Sequence, residues 1–122
     1  MNVGALHAYL ADRSVVTVVT TKRNGDDMST PIWSVVVNDV PYIRSEYGQA
    51  GQWYRRAIAR GRVGFEIGDD IERMGIEPVT DEAELARVDD AYRAKYARSA
   101  SSLEMMLTPL ARECTLRVAP RS

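Results

Sequence analysis

With 122 residues, 16 basic and 17 acidic side chains and a formal charge of −1, the chain is long enough for one hydrophobic core without staples. That balance gives no global pull toward nucleic acid or an acidic membrane surface. One cysteine, Cys114, excludes an intrachain disulfide and a cysteine-rich metal site, and the one histidine, His7, is too little for a zinc centre.

A single domain over residues 1–122 is expected. No run is apolar enough to span a bilayer and the start lacks a signal-peptide core, so the cytoplasm is the expected compartment.

Val3 to Asp12 reads as a short helix with Leu6 and Leu10 on one face. Val15 to Thr21 is rich in β-branched residues and reads as a strand. Asn24-Gly25 signals a tight turn, and Ser29 to Val37 reads as the returning strand. Pro31 lies within that strand and cannot donate to a ladder, which implies an edge or a bulge. Asn38-Asp39 makes the next turn, and Val40 to Ser45 a third strand.

Gln49 to Arg60 reads as a helix stopped by Gly61. Val63, Phe65 and Ile67 alternate as a fourth strand, and Ile71 to Val79 forms a fifth after the turn at Gly68-Asp69-Asp70. Asp81 with Glu84 three residues on opens a long helix carrying Leu85, Val88, Tyr92 and Tyr96. Ser99 to Pro109 is expected to be irregular or a helical turn. The alternation of Cys114, Leu116 and Val118 predicts a last strand with the thiol buried. The class is α+β, mainly β with helices: six antiparallel strands in a small barrel, with a helix after the third and a long helix before the last.

Hydroxyls, backbone N–H groups, cations and large aromatics concentrate between Thr20 and Arg62. Such a mixture suits a ligand with a phosphate at one end and a flat ring at the other. Arg44-Ser45 at a strand end is followed by Gly48, Gly51 and a helix start, where unpaired N–H groups favour anions. The plainer alternative is a capped strand on the surface. Arg55, Arg56, Arg60 and Arg62 form a basic cluster that equally fits a solvated helix face. Trp33 and Trp53 fit core or interface aromatics as well as ring contacts. Asp89-Asp90 is expected to be solvated, since adjacent helical residues do not face each other. Spacing argues for no catalytic residue.

The order Thr20-Thr21-x-x-x-Gly25, Ser29-Thr30-Pro31-Ile32-Trp33, Tyr42-x-Arg44-Ser45 and Trp53-Tyr54-Arg55 resembles the flavin-binding split-barrel superfamily. That superfamily includes pyridoxamine-phosphate-oxidase-like proteins and deazaflavin-dependent nitroreductases. With the later Ala91-Tyr92-Arg93-Ala94-Lys95-Tyr96 segment, the chain looks most like a small uncharacterised bacterial family within it. The resemblance implies a six-stranded split barrel, a homodimer, and FMN or a deazaflavin in a groove between the two chains. Carried over by position, Thr30 and Pro31 border the ring system. Arg44, Ser45, Gly48 and the loop to Gln52 hold the ribityl chain and phosphate, flanked by Trp53, Arg55 and Arg56. Many relatives place Lys or Arg where Gln52 stands, and an amide brings no charge. The implied activity is hydride or electron transfer to a small-molecule substrate, with neither nucleic acid nor membrane as partner. The alternative is a non-enzymatic binding or structural protein using the same groove, with no cofactor bound.

Overall fold

A computed structural model describes residues 3–120. Seven strands run in chain order: β1 (Val16–Thr21), β2 (Asp27–Ile32), β3 (Ser34–Val37), β4 (Val40–Arg44), β5 (Arg62–Ile67), β6 (Asp70–Pro78) and β7 (Thr115–Ala119). Helix α1 (Val3–Asp12) precedes them, α2 (Gln52–Arg60) lies between β4 and β5, and α3 (Glu82–Lys95), α4 (Ala100–Met106) and α5 (Pro109–Arg112) lie between β6 and β7.

The strands form one antiparallel sheet in the order β2-β1-β5-β6-β7-β4-β3. β2 and β3 thus lie at opposite ends of the sheet, yet only Trp33 separates them in sequence. One residue spans about 3.5 Å, so the sheet must curl until its two ends meet. The result is a half-barrel with a seam at Trp33. Here the expectation of six strands is corrected to seven. The segment Ser29 to Val37 does not stay with one partner: β2 pairs with β1, and β3 with β4. Periodicity cannot show such a change of partner.

Pro31 fits this edge position. It lies opposite Thr17, whose N–H is taken by the Tyr9 hydroxyl at 3.0 Å rather than by β2. The pair is therefore a non-hydrogen-bonded one, and the N–H that proline lacks would have faced away from the sheet. Both tight turns appear as expected, with positive φ at Gly25 (97°), Asn38 (50°) and Asp39 (65°).

The barrel interior is apolar. Leu6 and Leu10, one helical turn apart, drop from α1 onto Val16, Val18, Ile43, Phe65 and Leu116. Full burial of each such side chain stabilises by about 1.5–3 kcal/mol. A second cluster forms where Leu85, Val88 and Tyr92 of α3 cover Val35 and Tyr42. The Asp81 carboxylate accepts the Glu84 N–H at 2.8 Å and fixes where α3 begins. Cys114 is buried, as its alternation with Leu116 and Val118 implied. One expectation is corrected in the connections. Gly48–Ala50 is a separate 3-10 turn, so α2 starts at Gln52 and not at Gln49. Of the two readings of Ser99 to Pro109, the helical one holds and extends further than one turn, since the stretch carries α4 and the start of α5.

Candidate functional site

The seam builds one wall of the site. Trp33 stacks flat on Tyr96, with ring centroids 3.9 Å apart and planes 2° from parallel. The Tyr96 hydroxyl accepts the Ser34 N–H at 3.1 Å and donates to the Ser14 carbonyl at 2.8 Å. Lys95 Nζ donates to the carbonyls of Ser34 (2.7 Å) and Leu10 (2.9 Å). Burial pushes the Lys95 ammonium down to about 8 and the Tyr96 phenol up to about 12. The end of α3 thus clamps the crossover between β2 and β3.

The loop after β4 builds the floor. Ser45 Oγ donates to the Gly48 carbonyl at 2.8 Å, and both residues are buried. Gly48 has φ +62°, and a Cβ there would run into the Leu110 side chain. A Cβ on Gly51 would meet Ser45 Oγ, so this loop closes only with glycine at that point. Ser45 and Gly48 shape the turn; neither reaches the cavity described next.

Arg44 is where sequence and structure part most. A strand-end cation free to meet an anion was expected, but the guanidinium is wholly buried. Its Nη1 pairs with Asp89 at 2.7 Å and donates to the Met106 carbonyl at 2.9 Å, while Nε donates to Thr115 Oγ1 at 2.8 Å. Its Cζ also sits 5.2 Å from the centre of the Tyr92 ring. Only Nη2 lacks a partner. Asp89 was expected to be solvated, and that is corrected too. It is 7% exposed and also binds Arg112 Nε at 2.8 Å, whereas its neighbour Asp90 is exposed and pairs with Arg93.

Seam and loop enclose a cavity of about 530 Å³. Of the residues singled out in the sequence, Thr30, Pro31, Trp33, Arg44, Gln52, Trp53 and Arg56 line it. Glu46 and Tyr47 belong to the loop to Gln52 that the resemblance gives to the ribityl chain and phosphate, whereas Met28 and Val15 were not singled out, nor were Ser102 and Met106 of α4. The last two sit four apart, with Leu103 and Leu107 beside Met106. That apolar spacing was a helical signal open to reading.

A second cavity of about 510 Å³ adjoins the first, and the two share Gln52 and Arg56. It is lined by Arg23, Arg55, Arg56 and Arg60 with Thr21 and Ala59, and none of the described residues lining it is a carboxylate. Arg62 of the expected cluster sits on β5 and not in this groove, whereas Arg23 joins it from the β1–β2 turn. Arg56 Nε donates to Thr20 Oγ1 at 2.8 Å and Arg60 Nη2 to the Lys22 carbonyl at 2.8 Å, leaving other N–H groups available. At the start of α2, Gly51 provides no side-chain cap. The first N–H groups of the helix therefore keep their capacity for an anion.

Together the cavities offer aromatic walls at one end and uncompensated positive charge at the other. No group of three or more metal-ligating side chains occurs among the described residues, and none of their helices is long and apolar enough to cross a membrane.

The half-barrel is shared with solved structures. One is an F420-H2 dependent reductase, 18% identical, with a TM-score of 0.63 over 87% of this chain and 94% of the other. A second is an FAD binding protein from Mycobacterium smegmatis, 22% identical, with a TM-score of 0.61 over 100% of this chain and 91% of the other. A third, described as a domain-swapped dimer, is 18% identical, with a TM-score of 0.61 over 88% and 81%. At such identities the likeness establishes the fold alone, a split barrel. No curated protein matches the sequence. Residues 8–118 match the family described as an uncharacterized protein conserved in bacteria (DUF2255), and the chain belongs to that family.

Proposed function

We propose that the chain binds a flavin or deazaflavin, with the ring system in the aromatic cavity and the anionic end in the arginine groove, and serves hydride or electron transfer to a small molecule. One observation carries this reading: an aromatic cavity and a carboxylate-free groove of four arginines meet at Gln52 and Arg56. A ligand with a flat ring and an anionic tail matches both at once. Two of the structurally similar proteins are an F420-H2 dependent reductase and an FAD binding protein, which adds support.

The residues present fit such a group. Met28, Ile32, Trp33, Trp53 and Met106 give the ring an apolar bed, with Thr30 and Pro31 on the edge strand beside it. When bound, the cofactor supplies the redox chemistry, and the protein binds, orients and shields it. The anion falls to Arg55, Arg56 and Arg60 and to the start of α2 rather than to Arg44, whose charge is matched by Asp89. The neutral Gln52 therefore sits among cations, so its lack of charge is offset locally.

We assign the oligomer as a homodimer that closes over the cavity mouth. Val15, Met28 and Tyr47 line the cavity while being 51%, 37% and 59% exposed, an apolar rim open to a second chain. Light scattering should give twice the chain mass, and Tyr47→Asp should halve it; a monomer at micromolar concentration would remove the two-chain site.

The absorbance spectrum of freshly purified protein tests the cofactor directly. A visible flavin or deazaflavin band, or one acquired by titration, is expected. A colourless protein that takes up neither would leave the non-enzymatic or structural reading in its place.

A further inference from the structure

We infer that Glu46 anchors a polyol: its carboxylate accepts hydrogen bonds from adjacent hydroxyls on the chain that joins the flat ring to the anion. The inference rests on the ring-and-anion reading above. Among the residues lining the aromatic cavity, Glu46 is the one carboxylate. It is half-buried, and among the described residues no hydrogen bond or ion pair reaches its side chain. It stands between buried Ser45, 1% exposed, and exposed Tyr47, at the mouth of the cavity.

Two charges in this cavity are not matched by the fold, Glu46 and Arg56, since Arg44 is paired with Asp89. Although they line one space, Glu46 and Arg56 make no ion pair with each other. An occupant that expels water from the cavity must give Glu46 hydrogen-bond donors, because a desolvated carboxylate without them is costly. The chemistry of each part of the ligand then decides. A phosphate repels it. Ring carbonyls and unprotonated ring nitrogens only accept. A ring N–H offers one donor, whereas two adjacent hydroxyls offer one to each carboxylate oxygen. An acidic side chain holds ribose hydroxyls by the same means in dinucleotide-binding folds. Glu46 therefore selects ligands with a hydroxylated linker and keeps the anion away from its own part of the cavity.

The test compares lumiflavin, which carries the ring alone, with riboflavin, which adds the hydroxylated chain without phosphate. Binding is followed by tryptophan emission in the unmutated protein, Glu46→Gln and Glu46→Ala, with circular dichroism as the check on folding. Glu46→Ala should weaken riboflavin by about tenfold or more, the effect of losing hydrogen bonds to a charged group. Lumiflavin should bind Glu46→Ala as well as or better than the unmutated protein, and Glu46→Gln should fall between. Equal losses for both flavins, or no loss for riboflavin, would overturn the assignment. If neither flavin binds the unmutated protein, the flavin reading fails on its own, and ribitol 5-phosphate decides for Glu46. A rise in thermal midpoint that Glu46→Ala abolishes supports the anchor; no rise, or a rise indifferent to the substitution, overturns it.

Discussion

Arg44 and Arg56 both line the aromatic cavity, but Arg44 is 1% exposed and bound to Asp89, Thr115 and Met106, whereas Arg56 is half-buried and meets one hydroxyl of Thr20. The first cation has its counter-charge inside the protein and serves to tie β4 to α3 and β7. The second, with Arg23, Arg55 and Arg60, faces a groove without a carboxylate. What a cation can do for a ligand is thus set by what the fold has already given it, not by its place in a motif.

The largest effect should come from the buried pair. Asp89→Ala strands the Arg44 guanidinium in the interior and should cost about 3–5 kcal/mol of stability. Arg55→Ala, on the exposed face, should stay within about 0.5 kcal/mol. Urea denaturation of the two variants checks both, and similar losses would abolish the distinction.

Tyr96→Phe comes next. It leaves the buried Ser34 N–H and the Ser14 carbonyl without the hydroxyl that joins them, and should cost about 1–3 kcal/mol. Loosening of the seam should also appear as a change in Trp33 emission, since that ring stacks on Tyr96. An unchanged midpoint and spectrum would show that the seam does not depend on the clamp.

The contrast between these sites and the sequence is instructive. Local chemistry was open to reading. Asn24-Gly25, Asn38-Asp39 and Gly61 (φ 68°) all stand where backbone geometry needs them. The break at Trp33 was not, because it records a change of strand partner far away in sequence. Nor was the Arg44–Asp89 pair, which joins residues 45 apart. A clue to Asp89 was present, however. It follows Leu85 by four and precedes Tyr92 by three, which places it on the buried face of α3. An acid on an apolar face calls for a buried cation, and Arg44 is the fully buried one. Of the aromatic cavity, the β2 edge and the start of α2 could be seen in the sequence, whereas α4's contribution required the tertiary structure.

A pH dependence in alkali follows from the buried phenols and Lys95. Burial raises the phenols of Tyr54 and Tyr96 to about 12 and that of Tyr92 further still, from an ordinary 10.0. In the unfolded chain they ionise first, so the stability they lend below pH 10 is lost as pH rises through about 12. Lys95 has the opposite sign. Its value of about 8 against an ordinary 10.5 means that the unfolded chain binds more protons between the two, so stability rises with pH across that window. Equilibrium unfolding against pH should show a shallow rise above 8 and a fall beyond 10. Lys95→Met should remove the rise alone, and a profile still rising in that variant would mean Lys95 is not its source.

The assignment of ring to cavity and anion to groove is tested most directly by titrating the protein with FMN and riboflavin, which differ only in the phosphate, before and after Arg55→Ala and Arg56→Ala. The unmutated protein should bind FMN more tightly than riboflavin. Each substitution should remove about 1.5–3 kcal/mol of FMN binding, as for a hydrogen bond to a charged group, while riboflavin binding changes far less. Equal affinity for the two flavins in the unmutated protein, or a preference for FMN that survives both substitutions, would contradict the account.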